Sequence, residues 1–188
     1  MYFGDDCIIN DKIRIHQPTI GEILEYGEQD YFSMVHMITS ISSDFKPELT
    51  DMGFDYEKIT DIEMFYIATR NFGADQTRIL FGGVDFSKLK MIEQESGVLL
   101  LYSEDSGVKI DFHIHAMMMQ YLTRLHGIKK KPEFAANQGT KDFLVEDDRQ
   151  KKRMQAKKPF ESILLPLISA MVNSAGFKYN SQEVRNVG

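Results

Sequence analysis

At 188 residues, with 43% hydrophobic content, the chain is long enough to build one domain around a sizeable core, and its composition excludes a disordered or fibrous protein. A single cysteine, Cys7, excludes an internal disulfide. The opening MYFGDDCIIND lacks the basic-then-apolar order of a secretory signal, so a cytoplasmic location is expected.

Cys7-Ile8-Ile9, the turn Asn10-Asp11 and the alternating Lys12-Ile13-Arg14-Ile15-His16 predict a β-hairpin over residues 7–16. Pro18 ends it. Thr19-Ile20-Gly21-Glu22 has the form of a capping box. It opens a helix expected from Ile20 to Ile41, which Gly27 can bend. A short helix through Pro47 and Leu49 follows, ended by Gly53. Thr60-Asp61-Ile62-Glu63 is a second capping box, opening an apolar helix to Phe72 with Ile62, Phe65, Tyr66 and Thr69 on its inner side. Asp75 to Phe81 reads as a further short helix, cut by Gly82-Gly83.

The period then changes from helical to alternating. Leu89–Gln94, Val98–Tyr102 and Val108–Ile110, separated by Gly-containing turns, predict a β-meander inserted over residues 88–110. Asp111 begins a helix with the stripe Ile114, Met118, Tyr121, Leu122 and Leu125, ended at Gly127. Lys129 to Gly139 is a polar loop, and Thr140 to Lys158 a charged helix exposed on one side.

From Ser162 to Phe177 there is no charged residue. Leu164, Ile168, Met171 and Ala175 share one helical face, with Leu167 beside them, and Leu165 and Val172 lie on another. A helix apolar nearly all round is a buried one. Residues 160–176 are therefore expected to form a central core helix, kinked or restarted at Pro166 and stopped by Gly176. Bilayer spanning fails on length, since a span needs about 20 apolar residues. Ser181-Gln182-Glu183-Val184 reads as the start of another helix. The expected fold is one mainly α (α+β) domain over residues 1–188, organised around that buried C-terminal helix.

Charge is unevenly spread. Residues 128–158 hold ten Lys/Arg against five Asp/Glu, whereas the rest of the chain holds 12 against 23. A basic segment on an acidic body meets an acidic partner, or its own body. The candidate partner-binding residues are Lys129, Lys130, Lys131, Lys151, Lys152, Arg153, Lys157 and Lys158. The plain alternative is a solvated charged face, and phosphate contact by these lysines is another. The overall acidity and the absence of interleaved aromatics for base stacking oppose it.

Catalytic signatures are weak. Asp111-Phe112-His113-Ile114-His115 has the DxHxH form of a metal site, but the stripe from Ile114 onward is helical. On a helix His113 and His115 lie about 200° apart and cannot share a metal. They are better read as surface histidines behind an Asp111 N-cap. Cys7 as nucleophile would need His16 across the hairpin, with no other support. Ser162 and Ser169 lack a strand–turn–helix elbow and read as core hydroxyls. Gly82-Gly83 lacks the spacing of a phosphate loop. The acid pairs Asp61/Glu63 and Glu146/Asp147/Asp148 fit helix-end or solvated charges. No cofactor or metal site is expected.

Four strings together carry a resemblance: IHQPTIGEILEYGEQDYFSMVHMITSISSDFK, YLTRLHGIKKK, TKDFLVEDDR and LLPLISAMVNSAGFKY. They resemble a family of tail-morphogenesis-module proteins from tailed phages and prophages of Gram-positive bacteria, similar to phage tail assembly chaperones. The resemblance spans residues 13–185. It implies a non-enzymatic factor without cofactor, acting in the bacterial host cytoplasm on a helical tape-measure-type client and the major tail protein. A structural component of the virion tail or neck is the alternative from the same module. Self-association is left open, and no membrane partner is implied. Members run on past the point where this chain stops, so a truncated or frayed end is expected after Val187-Gly188.

Overall fold

The computed structural model describes residues 6–174, 176 and 180–187. The chain opens on a turn that Asn10 builds for itself. Its side-chain oxygen accepts the amides of Lys12 and Ile13, both at 2.8 Å, an Asx turn. This folds β1 (Cys7–Ile8) antiparallel onto β2 (Arg14–Ile15). Ile13 and Ile15 alternate inward, and both are buried.

Both capping boxes form. Thr19 accepts the Glu22 amide at 3.2 Å, while Glu22 accepts the Thr19 amide at 2.7 Å. That pair opens α1 (Ile20–Tyr26). The single helix expected to Ile41 is instead two. Gly27, at φ 108°, lies in a region other residues avoid; it breaks the chain between α1 and α2 (Glu28–Ile38). A 3-10 turn over Ser42–Phe45 leads into α3 (Lys46–Asp51), with Pro47 in its first turn, where a missing amide costs nothing. The Thr60/Glu63 box opens α4 (Asp61–Thr69), shorter than expected, and α5 spans Ala74–Phe81. Strands β3 (Lys90–Glu93), β4 (Leu99–Tyr102) and β5 (Lys109–Ile110) pair in chain order as an antiparallel meander. Its register sets Met91 opposite Leu101 and Leu101 opposite Ile110.

The last four helices are α6 (Phe112–Leu125), α7 (Gln138–Gln155), α8 (Leu164–Asn173) and α9 (Ser181–Val184). Asp111 caps α6, accepting the Ile114 amide at 2.8 Å. The architecture is mainly α with two small antiparallel sheets, a two-strand hairpin and a three-strand meander. Among the described residues no helix is long and apolar enough to cross a membrane.

The main core gathers Ile13 and Ile15 of the hairpin, Tyr31, Met34, Val35 and Ile38 of α2, Phe65 of α4, and Leu80 and Phe81 of α5. Leu101, Ile110, Met118 and Leu122 join them from the meander and α6. A second, smaller cluster joins Leu49, Tyr56, Met64, Ala68 and Val145. The centre of the molecule is therefore α2 with α4, which have the mutual contact that the expected core helix was to provide.

The buried C-terminal helix is a correction. Of α8 only Leu164 is buried, and Ile168, Met171 and Val172 are half-covered against the main core. Leu165, Pro166, Leu167, Ser169 and Ala170 face outward. The volume at the centre is already filled by the earlier elements, so α8 packs by one face and leaves the other uncovered. Of the two expectations for Pro166, the start is the one found: it sits in the first turn of α8 and does not kink it. The helix ends at Asn173, before Gly176. Ala175, placed above on the apolar face of this helix, lies outside the described residues, as do residues 177–179.

Candidate functional site

Two surfaces compete as the functional site: the basic segment 128–158 and the outward face of α8. The basic segment turns toward its own body. Lys130 Nζ lies 2.6 Å from Asp44, Lys152 Nζ 2.6 Å from Glu48, and Arg149 2.6 Å from Asp51. Lys141 bridges Asp55 and Glu57. Lys151 is paired within α7, to Asp147 at 2.6 Å. Of the eight partner-binding candidates, Lys130, Lys151 and Lys152 are thus ion-paired. Lys129, Lys131, Arg153, Lys157 and Lys158 are exposed and make no ion pair among the described residues.

The segment is fastened from the other side by a residue the sequence reading passed over. Lys46 is buried, with a side chain 3% exposed, and its Nζ meets Glu133 at 2.7 Å, Asp148 at 2.7 Å and the Ser43 carbonyl at 2.8 Å. All three ammonium protons are used. Burial pulls its pKa down, but the bonds to Asp148 and Glu133 outweigh this and hold it above the ordinary lysine value. A signal for this fastening was present. Asp44, Glu48, Asp51 and Asp55 recur at helical spacing, as do Lys141, Val145, Arg149 and Lys152.

The face of α8 is different in kind. Phe160, Ile163, Leu165 and Leu167 are 47, 59, 66 and 48% exposed. No charge interrupts the outward side from Ser162 to Asn173, and Lys157, Lys158 and Glu161 precede it. Its start is tied to the body by one carboxylate. Glu28, at the start of α2, accepts the Ser162 hydroxyl at 2.6 Å and the amides of Ile163 and Leu164 at 2.5 and 2.8 Å. Burial would raise the Glu28 pKa, but these three donors draw it below the usual carboxylate value. Ser162 in turn accepts the Leu165 amide at 2.9 Å. It is a helix-start residue, not the core hydroxyl expected. Ser169 lies on the exposed side of α8, where its hydroxyl is 3.3 Å from Asn173 Nδ2.

The catalytic candidates are not brought together. Asp111 is spent on its cap, His113 is exposed and His115 is buried. The expectation of two surface histidines therefore holds for His113 and fails for His115. The latter packs edge-on against Phe65, ring centroids 5.2 Å apart, and burial drives its pKa down to about 4. Among the described residues no group of three His, Cys, Asp or Glu side chains converges as a metal site. His16 is engaged by Asp6 at 2.8 Å and Glu22 at 3.3 Å instead of by Cys7, and burial raises the Cys7 pKa. A thiol with a raised pKa is a poorer nucleophile.

Comparison with protein-family models, curated proteins and solved structures returned no match to this chain.

Proposed function

We propose that the chain is a non-enzymatic phage morphogenesis factor, a tail assembly chaperone of the bacterial host cytoplasm that holds a helical, tape-measure-type client on the outward face of α8. One observation carries the reading: an uncharged apolar helix face, hydrogen-bonded at its start to Glu28 and left uncovered by the body. Contiguous exposed apolar surface with a polar rim is characteristic of protein-binding sites, and an amphipathic helix lays its apolar stripe against such a surface. The client's stripe would be shielded there until tail-tube subunits replace the chaperone. The resemblance of the four sequence strings supplies the identity of the client class. A tail or neck component of the virion shares the same face and differs in remaining with the particle. The nucleic-acid alternative loses support from the pairing of Lys130, Lys141, Arg149 and Lys152 to the chain's own acids.

The test places a photo-crosslinking residue at Leu165 or Leu167 in phage-producing cells and identifies the adduct by mass spectrometry. A long coiled-coil tail protein or a tube subunit is expected, with the chain absent from purified virions. An unchanged yield of the same adduct from a Leu165→Asp, Leu167→Asp variant carrying the crosslinker elsewhere on the body would overturn the assignment of α8.

A further inference from the structure

We propose that the groove between Ser42–Phe45, α3 and α4 is a receptor for a basic amphipathic helix, filled here by the chain's own α7 and open to a partner's helix of the same chemistry when α7 leaves. The site is separate from α8 and does not depend on the reading given to that helix.

The floor of the groove is apolar: Leu49, Tyr56 and Met64 are buried, with Phe45 and Ile59 packed at its margin. Its wall is acidic, built from Asp44, Glu48, Asp51, Asp55 and Glu57. Helix α7 runs along it antiparallel to α3, as the pairs show: Lys141 meets Asp55, Arg149 meets Asp51 and Lys152 meets Glu48. Lysine cations also lie over aromatic faces, Lys141 at 5.0 Å from the Tyr56 ring and Lys152 at 4.8 Å from the Phe45 ring. Chemistry of this kind selects a helix with Lys/Arg at i, i+8 and i+11 and a small apolar residue at i+4, which α7 has in Lys141, Arg149, Lys152 and Val145.

Three features mark α7 as a replaceable occupant. Its 18 residues bury one side chain, Val145, while Phe143 and Met154 are 68 and 66% exposed. The remaining attachment is ion pairs: one is buried, Lys46 with Asp148 at 2.7 Å, and the others are partly solvated, so that salt screens them and a competing cation can exchange them. The hydroxyl of Tyr56, fully buried in the floor, has no hydrogen-bond partner among the described residues, so α7 leaves one donor of the groove unspent. The intramolecular copy sets the threshold a partner must exceed.

The experiment uses the full chain and, as probe, a labelled peptide of residues 138–155. An Arg149→Glu, Lys152→Glu variant undocks α7 and is expected to bind the peptide about tenfold or more tightly than the unaltered protein, because the competent state is then populated. Binding should weaken as salt is raised and fall sharply when Glu48→Gln and Asp51→Asn are added, which discharge the wall without giving the reversed α7 new partners. Leu144→Pro, which breaks α7 but leaves the wall intact, makes the same prediction by another route. Should either variant fail to fold, the unaltered protein decides: excess peptide should accelerate hydrogen exchange at α7 amides while those of α2 and α4 stay protected. No gain in binding by a folded variant, or no acceleration by the peptide, overturns the proposal.

Discussion

A neutral imidazole sealed against a phenyl ring makes a fold sensitive to acid. His115 is 5% exposed, sits edge-on to Phe65 and has its pKa pushed by burial from 6.5 to about 4, with Asp61 opposing weakly. His126 is lowered as well, first by burial. This half-buried imidazole has a settled tautomer: Nδ1–H donates to the Leu122 carbonyl at 2.9 Å, and Nε2 accepts the Tyr31 hydroxyl at 2.7 Å. The unfolded chain takes up a proton near pH 6.5, whereas folded His115 takes one up only near pH 4. Its stability contribution is therefore full above the unfolded value and falls as pH drops toward the folded one. Between pH 6.5 and 5, above the range where most carboxylates titrate, the loss from His115 is about 2 kcal/mol. His16 works in the opposite sense. Burial would lower it, but its bonds to Asp6 and Glu22 hold its pKa above the ordinary value, a gain that is full below that value and fades as pH rises. Urea unfolding across this window should show the acid loss in the natural chain and a shallower slope in His115→Gln. Parallel slopes would mean that His115 is protonated or hydrated in the folded state.

For the elements, the test of α8 is its anchor. Without Glu28, the Ser162 hydroxyl and the amides of Ile163 and Leu164 lose their acceptor. Glu28→Ala should cost about 1–2 kcal/mol, as the loss of a helix cap does. Hydrogen exchange should speed up at residues 164–168, and Glu28→Gln, which keeps one carbonyl acceptor, should fall between. Exchange at α8 that ignores both substitutions would show that Leu164 and Ile168 alone hold the helix. This anchor also marks the limit of what the sequence discloses. Thr19/Glu22 and Thr60/Glu63 are three residues apart, and both boxes were readable because each is complete within one turn. The meander was readable for the same reason, through its change of period and its glycine turns. Glu28 and Ser162 stand 134 residues apart, and nothing local couples them. The apolar character of residues 162–173 was legible, but composition reports only that a helix avoids charge. Which face is covered depends on how α2, α4 and the meander fill the centre. The charge excess of 128–158 was legible, and its pairing with the chain's own 44–57 only through matched helical spacings in both.

Across the whole molecule, the last described segment returns to the first helix and closes the fold. Val184 is fully buried in the main core, and Arg185 reaches Glu25 at 2.8 Å. The first amides of α1, which no helical partner can satisfy, donate to this segment: Ile20 to the Val187 carbonyl at 2.9 Å and Gly21 to the Arg185 carbonyl at 2.7 Å. Contact this close leaves no room for a side chain at position 21. A Cβ there would lie 2.9 Å from the Arg185 carbonyl oxygen, a backbone atom that cannot rotate away. Replacing glycine by alanine at an unstrained helical site normally stabilises by about 0.4–1 kcal/mol, by narrowing the unfolded ensemble. Here the sign should invert. Gly21→Ala should lower the thermal midpoint and speed hydrogen exchange at α9, because the Arg185 backbone that ends α9 must move. In a chain ended at Ser174 the obstructing carbonyl is gone, and the same substitution should become neutral or stabilising. Val184→Ala in the full chain provides the scale, at about 2 kcal/mol for a buried valine. A Gly21→Ala midpoint equal to or above that of the natural chain would show that the segment 180–187 yields without cost, and that α1 can be capped without it.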